Sequence, residues 1–249
     1  MSGHSKWSSI KHQKGVTDAR RGQLFTKLTR EIIVAVRESG SNPDSNFRLR
    51  LAVHKAKDNN MPNENIERAI KRGSGELEGV TLTELTLEGY GQGGTAVLVK
   101  ALTDNRNRTL QDIRNIFSRN GGSLGESGCV AWLFDPRGVI SVDAKGLDTE
   151  ELALQAIDAG AEDVSIDNTH VEIYATPEEL EAVREKLEEQ NTPIASTEIS
   201  MVPKTTVQLD EKDALQTLRL LGKVEELDEV QHVSSNADFP DTAFTKYQT

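Results

Sequence analysis

The chain has a single cysteine, Cys129, among 249 residues. An internal disulfide is therefore impossible, which fits a reducing cytosol and sets aside disulfide-framed secreted folds. No apolar run approaches the roughly 20 residues of a membrane-spanning helix. The opening residues lack the apolar core of a secretory signal, and Asp18 and Glu31 come early for an organellar transit peptide. A cytoplasmic protein is expected. Catalytic signatures are missing too. There is no H-E-x-x-H, no Cys/His metal spacing, no G-x-x-x-x-G-K-[ST] loop and no G-x-S-x-G elbow. The five histidines (His4, His12, His54, His170, His232) stand in unrelated contexts. Paired carboxylates such as Glu150/Glu151 and Glu188/Glu189 fall on acidic helix faces. No enzymatic activity, metal or cofactor is expected.

What the chain does have is charge, unevenly divided around a net of −11. Residues 1–75 carry 15 Lys/Arg and 7 Asp/Glu, a balance of +8. Residues 76–135 stand at −3, residues 136–203 at −12 and residues 204–249 at −4. An acidic block is repelled by phosphate at contact range. Any nucleic acid should therefore meet the N-terminal part, with residues 136–203 turned away.

The basic opening is GHSKWSSIKHQKGVTDARRGQLFTKLTREIIVAVR, residues 3–37. Lys and Arg clustered around an aromatic are the electrostatic footprint of nucleic-acid contact. The candidate contacts are His4, Lys6, Trp7, Lys11, His12, Lys14, Arg20, Arg21, Lys27 and Arg30. Residues 2–15 show no periodicity and read as a basic arm, loose when free. The following residues read as an amphipathic helix, with Leu24, Phe25, Leu28, Ile32 and Val36 on one side and Arg20, Gln23, Lys27, Arg30 and Arg37 on another. Val34 intrudes into that polar stripe, which predicts partial cover there.

Turn residues 39–44 precede a second helix, with Asp44 or Ser45 as its cap. Pro62 or Asn63 opens a third, which Gly73 ends. Lys55, Lys57, Arg68, Lys71 and Arg72 extend the basic surface. Residues 1–75 are thus a basic arm and a three-helix domain. Strand patterning follows. Gly89-x-Gly91-x-x-Gly94 matches the dinucleotide fingerprint in form, but a β-branched strand follows it where that motif needs a helix. A long hairpin turn is expected instead. Arg106 and Arg108, at the next loop-to-helix junction, are further candidate phosphate contacts, against pairing with Asp104 and Asp112. Residues 129–134 read as a strand, with Cys129 and Trp132 in the core.

Residues 136–203 give β-α-β-β-α-β, a ferredoxin-like order. Residues 76–135 give only β-β-α-β. The tail supplies the absent helix and strand, and residues from Asn236 look loose. The expected fold class is α+β in three domains: an N-terminal helical domain, then two ferredoxin-like α+β domains. One, 136–203, is inserted in the other, 76–135 plus 204–249.

The opening signature resembles that of the YebC/PmpR family, which includes the mitochondrial translational activator of cytochrome c oxidase subunit I. Further stretches carry the same resemblance: NMPNENIERAIKRG (60–73), EGYGQGGTAVLVKALTDNRNRT (88–109), NGGSLGESGCVAWLF (120–134), DAGAEDV (158–164) and TEISMVP (197–203). The likeness spans nearly the whole chain. It implies a three-domain regulator of gene expression, described in the family either as a DNA-binding transcriptional regulator or as a translation factor on stalled ribosomes. The chain departs from the family pattern at Gln13, Gly15, Phe47 and Gln92, outside the GHSKW core. Gln13 removes one phosphate contact that the family pattern implies.

The residues favour rRNA and the ribosome as partner. A basic arm that orders on binding suits a crowded RNA site, and acidic domains avoid rRNA or meet basic ribosomal proteins. Duplex DNA reading calls for a recognition helix, and none stands out.

Overall fold

The computed structural model describes residues 18–167 and 170–248, without the side chains of residues 18–20, 241 and 248. The expected contacts His4, Lys6, Trp7, Lys11, His12 and Lys14 lie outside that set, as does the side chain of Arg20.

Helix α1 spans Asp18–Ser39, α2 Phe47–Asp58 and α3 Asn63–Ser74. Leu28, Ile32, Ile33, Ala35 and Val36 of α1 are buried against Leu49, Ala52, Val53 and Ala56 of α2 and Ile66 and Ala69 of α3. The cap of α2 is Asn46, not Asp44 or Ser45. Its Oδ1 accepts from the Leu49 N–H at 3.0 Å, while its Nδ2 donates to the carbonyls of Ala35 and Gly40 at 2.7 Å. One buried amide thus starts α2 and ties it to the end of α1. Gly73 lets α3 lie close on α1: a Cβ there would stand 2.7 Å from Val36 Cβ and 3.0 Å from the Ile33 carbonyl.

Strands β1 (Thr83–Tyr90) and β2 (Ala96–Thr103) form the expected hairpin, with Tyr90 opposite Ala96. Gly93 and Gly94 carry φ of 62° and 76° in its turn, the left-handed region that glycine enters without strain. Helix α4 (Arg106–Arg119) leads to the short β3 (Ser123–Leu124), which pairs with β1. The chain then departs through β4 (Phe134–Asp143), α5 (Thr149–Ala159), β5 (Asp163–Asp167), β6 (His170–Ala175), α6 (Leu180–Glu189) and β7 (Ile194–Pro203). It returns through β8 (Val207–Gln208), α7 (Glu211–Glu225), β9 (Val230–Ser235), β10 (Ala237–Asp238) and α8 (Asp241–Gln248).

The departing unit has the sheet order β5-β6-β4-β7, antiparallel throughout, which is the ferredoxin-like arrangement. The other sheet is β3-β1-β2-β9, with the hairpin at its centre and the returning β9 along β2. Its core joins Ile113 and Phe117 of α4 to Leu218, Leu220, Leu221 and Val224 of α7. The tail therefore supplies a helix and a strand to a sheet begun far upstream.

Two further expectations change. The residues after Asn236 are not loose. Ala237, Phe239 and Ala243 are buried in the same core, Phe239 packs edge-to-face on Phe244 at 5.6 Å, and β10 pairs in parallel with β8. Residues 129–134 are not a strand: a single 3-10 turn occupies Ala131–Leu133, and β4 begins at Phe134. Trp132 is consequently 66% exposed rather than in the core, and Cys129 is half-buried. In the inserted unit α6 starts at Leu180, because Thr176 first closes a separate turn by accepting from the Glu179 N–H at 3.2 Å.

Candidate nucleic-acid interface

Few of the cations expected to meet phosphate face outward together. Lys27 donates to the Glu225 carbonyl and Gln23 to the Glu226 carbonyl. Both acceptors lie at the C-terminal end of α7, where helix carbonyls lack intrahelical donors and the dipole is negative. Arg30 donates to the Leu102 carbonyl at 3.0 Å and approaches Glu229 to 3.6 Å, with 19% of its side chain exposed. Lys27, Arg30 and the buried Val34 form one stripe on α1, and Val34 packs outside the helical core. That stripe seats α1 on the β1–β2–β9 unit.

Arg108 does pair with Asp104, at 2.6 Å, and also reaches Glu229 at 3.3 Å. Arg30 and Arg108 are thus brought together on one carboxylate. Arg108 starts from the Asn105 cap, whose Oδ1 accepts its backbone N–H at 3.1 Å. Arg106, two residues earlier, is exposed and pairs with nothing among the described residues; Arg21 is exposed at the start of α1.

Two more cations of the helical domain are held by the other units. Lys55 meets Glu198 of β7 at 3.1 Å. Burial opposes its charge, but Glu198 and Glu31 outweigh that and raise its pKa. Arg48 donates to Glu38 and Glu84 at 2.6 Å each, an attraction that outweighs its desolvation. Arg48, Lys55, Glu84 and Glu198 line a cavity of about 390 Å³ where the three units meet, with Lys100, Gln231 and His232. Burial lowers the Lys100 pKa, Arg48 adds to the effect, and Glu84 offsets it in part.

The cations left outward were not foreseen as the main set. Arg37, Lys57, Arg68, Lys71 and Arg72 are exposed, with no side-chain partner among the described residues. Arg68, Lys71 and Arg72 are spaced i, i+3, i+4 and so share a face of α3. Their sequence signal was a run of basic residues in a helix's last turn, which is also an ordinary solvated face. Among the described residues no group of three or more His, Cys, Asp or Glu could hold a metal ion, and no helix is long and apolar enough to cross a membrane.

Comparison with known proteins agrees with this architecture. Residues 5–76 match a family model described as the TACO1/YebC protein N-terminal domain. Residues 82–237 match the TACO1/YebC second and third domain. A probable transcriptional regulatory protein of Dehalococcoides mccartyi is 60% identical over all of this chain and 99% of its own length. One of Natranaerobius thermophilus is 51% identical over 97% of this chain and 98% of its own. The crystal structure of a conserved hypothetical protein from Aquifex aeolicus superposes with a TM-score of 0.88 at 52% identity, covering 95% of this chain and 98% of that one. The chain belongs to the TACO1/YebC family.

Proposed function

We propose that the protein is a non-enzymatic, nucleic-acid-binding regulator of gene expression that acts in translation, on the ribosome, through rRNA. The observation that carries the reading is the division of charge on the folded chain. The helical domain keeps Arg37, Lys57, Arg68, Lys71 and Arg72 outward after Arg30, Arg48 and Lys55 have docked it to the rest. The basic residues 6–14 precede that surface in the chain, and the unit at −12 is built around a separate core. Phosphate is drawn to the first of these surfaces and repelled by the acidic unit. Arg68, Lys71 and Arg72 are point and fork donors on a short helix, suited to backbone contact, while base-edge readout of duplex DNA needs a helix seated in the groove. The relatives' names favour a second reading, transcriptional regulation at DNA.

Co-sedimentation separates the two. The full chain should pellet with ribosomes at physiological salt, and deletion of residues 2–15 should abolish that while the helical domain stays folded. A protein that stays in the supernatant and selects one duplex site by about 10³ or more over random DNA is a transcriptional regulator.

A further inference from the structure

We propose that Tyr90 and Trp132 form a second, preorganised nucleic-acid contact: an aromatic shelf on which an unpaired RNA base stacks. The inference rests on the nucleic-acid reading above and adds a site far along the chain from the basic arm.

The shelf is built by a buried charge. Glu88 is 5% exposed, and its carboxylate accepts three backbone N–H groups from one loop: Gly128 at 2.6 Å, Val130 at 2.7 Å and Ala131 at 2.7 Å. Gly125 completes the fold of that loop, since a Cβ there would stand 2.6 Å from Cys129 Sγ. On either side of Trp132 the chain turns inward. Val130 and Phe134 are buried with Ala96 and Leu98, and Ala131 and Leu133 pack against them. Trp132 alone points out, at 66% exposure, with Tyr90 beside it at 38%.

Both rings are held by the same acceptor. The Cys129 carbonyl takes the Tyr90 hydroxyl at 3.3 Å and the Trp132 indole N–H at 3.2 Å. Their polar groups are thus used inward, and each ring offers outward its face and carbon edge. Such a surface recognises a flat partner by stacking and is indifferent to base identity. Fixing both rings in advance lowers the entropy lost on binding.

The rings lie on the sheet face turned away from α4 and α7. Leu85, Leu87 and Gly89 meet the core that those helices cover, and Glu88 and Tyr90 alternate with them onto the opposite face, the side of Ala96, Leu98 and Val130. The loop that carries Trp132 exposes one carboxylate, Glu126; Glu88 is enclosed. Duplexes hide base faces in their own stack, so the partner is a single strand, loop or bulge.

The test is fluorescence anisotropy of labelled single-stranded oligoadenylate and of a blunt duplex of equal length, with the full chain. Trp132→Ala should weaken single-strand binding by about 5- to 150-fold, the range of one base–aromatic stack. It should leave the duplex affinity within about twofold, and Trp132→Phe should recover most of the loss. Unchanged single-strand affinity in Trp132→Ala overturns the shelf while the nucleic-acid reading stands. Equal loss on single strand and duplex also overturns it, as does loss of self-association in place of RNA affinity. A wild-type chain that binds neither RNA, duplex nor ribosomes brings down both readings. Circular dichroism of each variant confirms the fold.

Discussion

Replacing Glu88 by Gln removes one charge and reverses one hydrogen-bonding group in a buried site. In the wild type Oε1 accepts from Gly128, and Oε2 accepts from both Val130 and Ala131. The amide oxygen of Gln can keep the double acceptance. Its NH2 then faces the Gly128 N–H, donor against donor. An orphaned buried donor costs about 1–3 kcal/mol, and the two surviving bonds lose their charge assistance. A total of about 2–4 kcal/mol follows, or roughly 4–16 °C in the melting transition of a chain this long. The pH dependence has a definite sign. Burial pushes the Glu88 pKa up, but the three N–H groups together outweigh it and hold the carboxyl below its ordinary 4.5. A folded-state pKa below the unfolded one means stability that is present above about pH 4.5 and lost as pH falls through the folded value. The gap in Tm between wild type and Glu88→Gln, followed by circular dichroism, should hold from pH 8 to about 5 and close below that. A variant that melts with the wild type, or a gap indifferent to acid, refutes the role given to this carboxylate.

Gly73→Ala should push α3 off α1, because its Cβ would overlap Val36. We expect a net loss of about 1–2 kcal/mol, overpacking less the helix propensity gained, read by thermal unfolding. Truncation after Ser235 removes Phe239 and Ala243 from the β1–β2–β9 core. It should cost more than the roughly 3–5 kcal/mol of a lost buried Phe and expose apolar surface, detected as aggregation on mild heating. Residues 134–203 hold β4 to β7 with their own core. As a fragment they should fold cooperatively and ignore RNA and DNA at physiological salt; micromolar binding would contradict the polarity argued here.

The acidic unit was legible from local signals. Asp148 caps α5, whose span of Thr149–Ala159 the apolar spacing delimits, and β-α-β-β-α-β left one sheet order to expect. The helix and strand of the tail were legible, but its end from Asn236 was not, because Ala237, Phe239 and Ala243 reach the core from a two-residue strand and a short helix, too few for a period. Nor was Trp132. CVAWLF reads as a strand until a carboxylate 42 residues upstream, at the far end of a hairpin, draws in the amides of Val130 and Ala131. For Lys27 and Arg30 the ambiguity is chemical. A guanidinium or ammonium serves a phosphate or a helix-end carbonyl equally, and only the intrusion of Val34 marked their stripe as covered.

The central claim is that phosphate meets the outward cations of the helical domain. Its most direct test is ribosome binding as a function of salt, for the wild type and for the triple variant Arg68→Gln, Lys71→Gln, Arg72→Gln. Those side chains are exposed and make no hydrogen bond or ion pair among the described residues, so the fold should be retained. The slope of log Kobs against log salt should become shallower by about 2–3, with affinity falling by at least tenfold. An unchanged slope and affinity would place the phosphate contacts elsewhere and contradict the account.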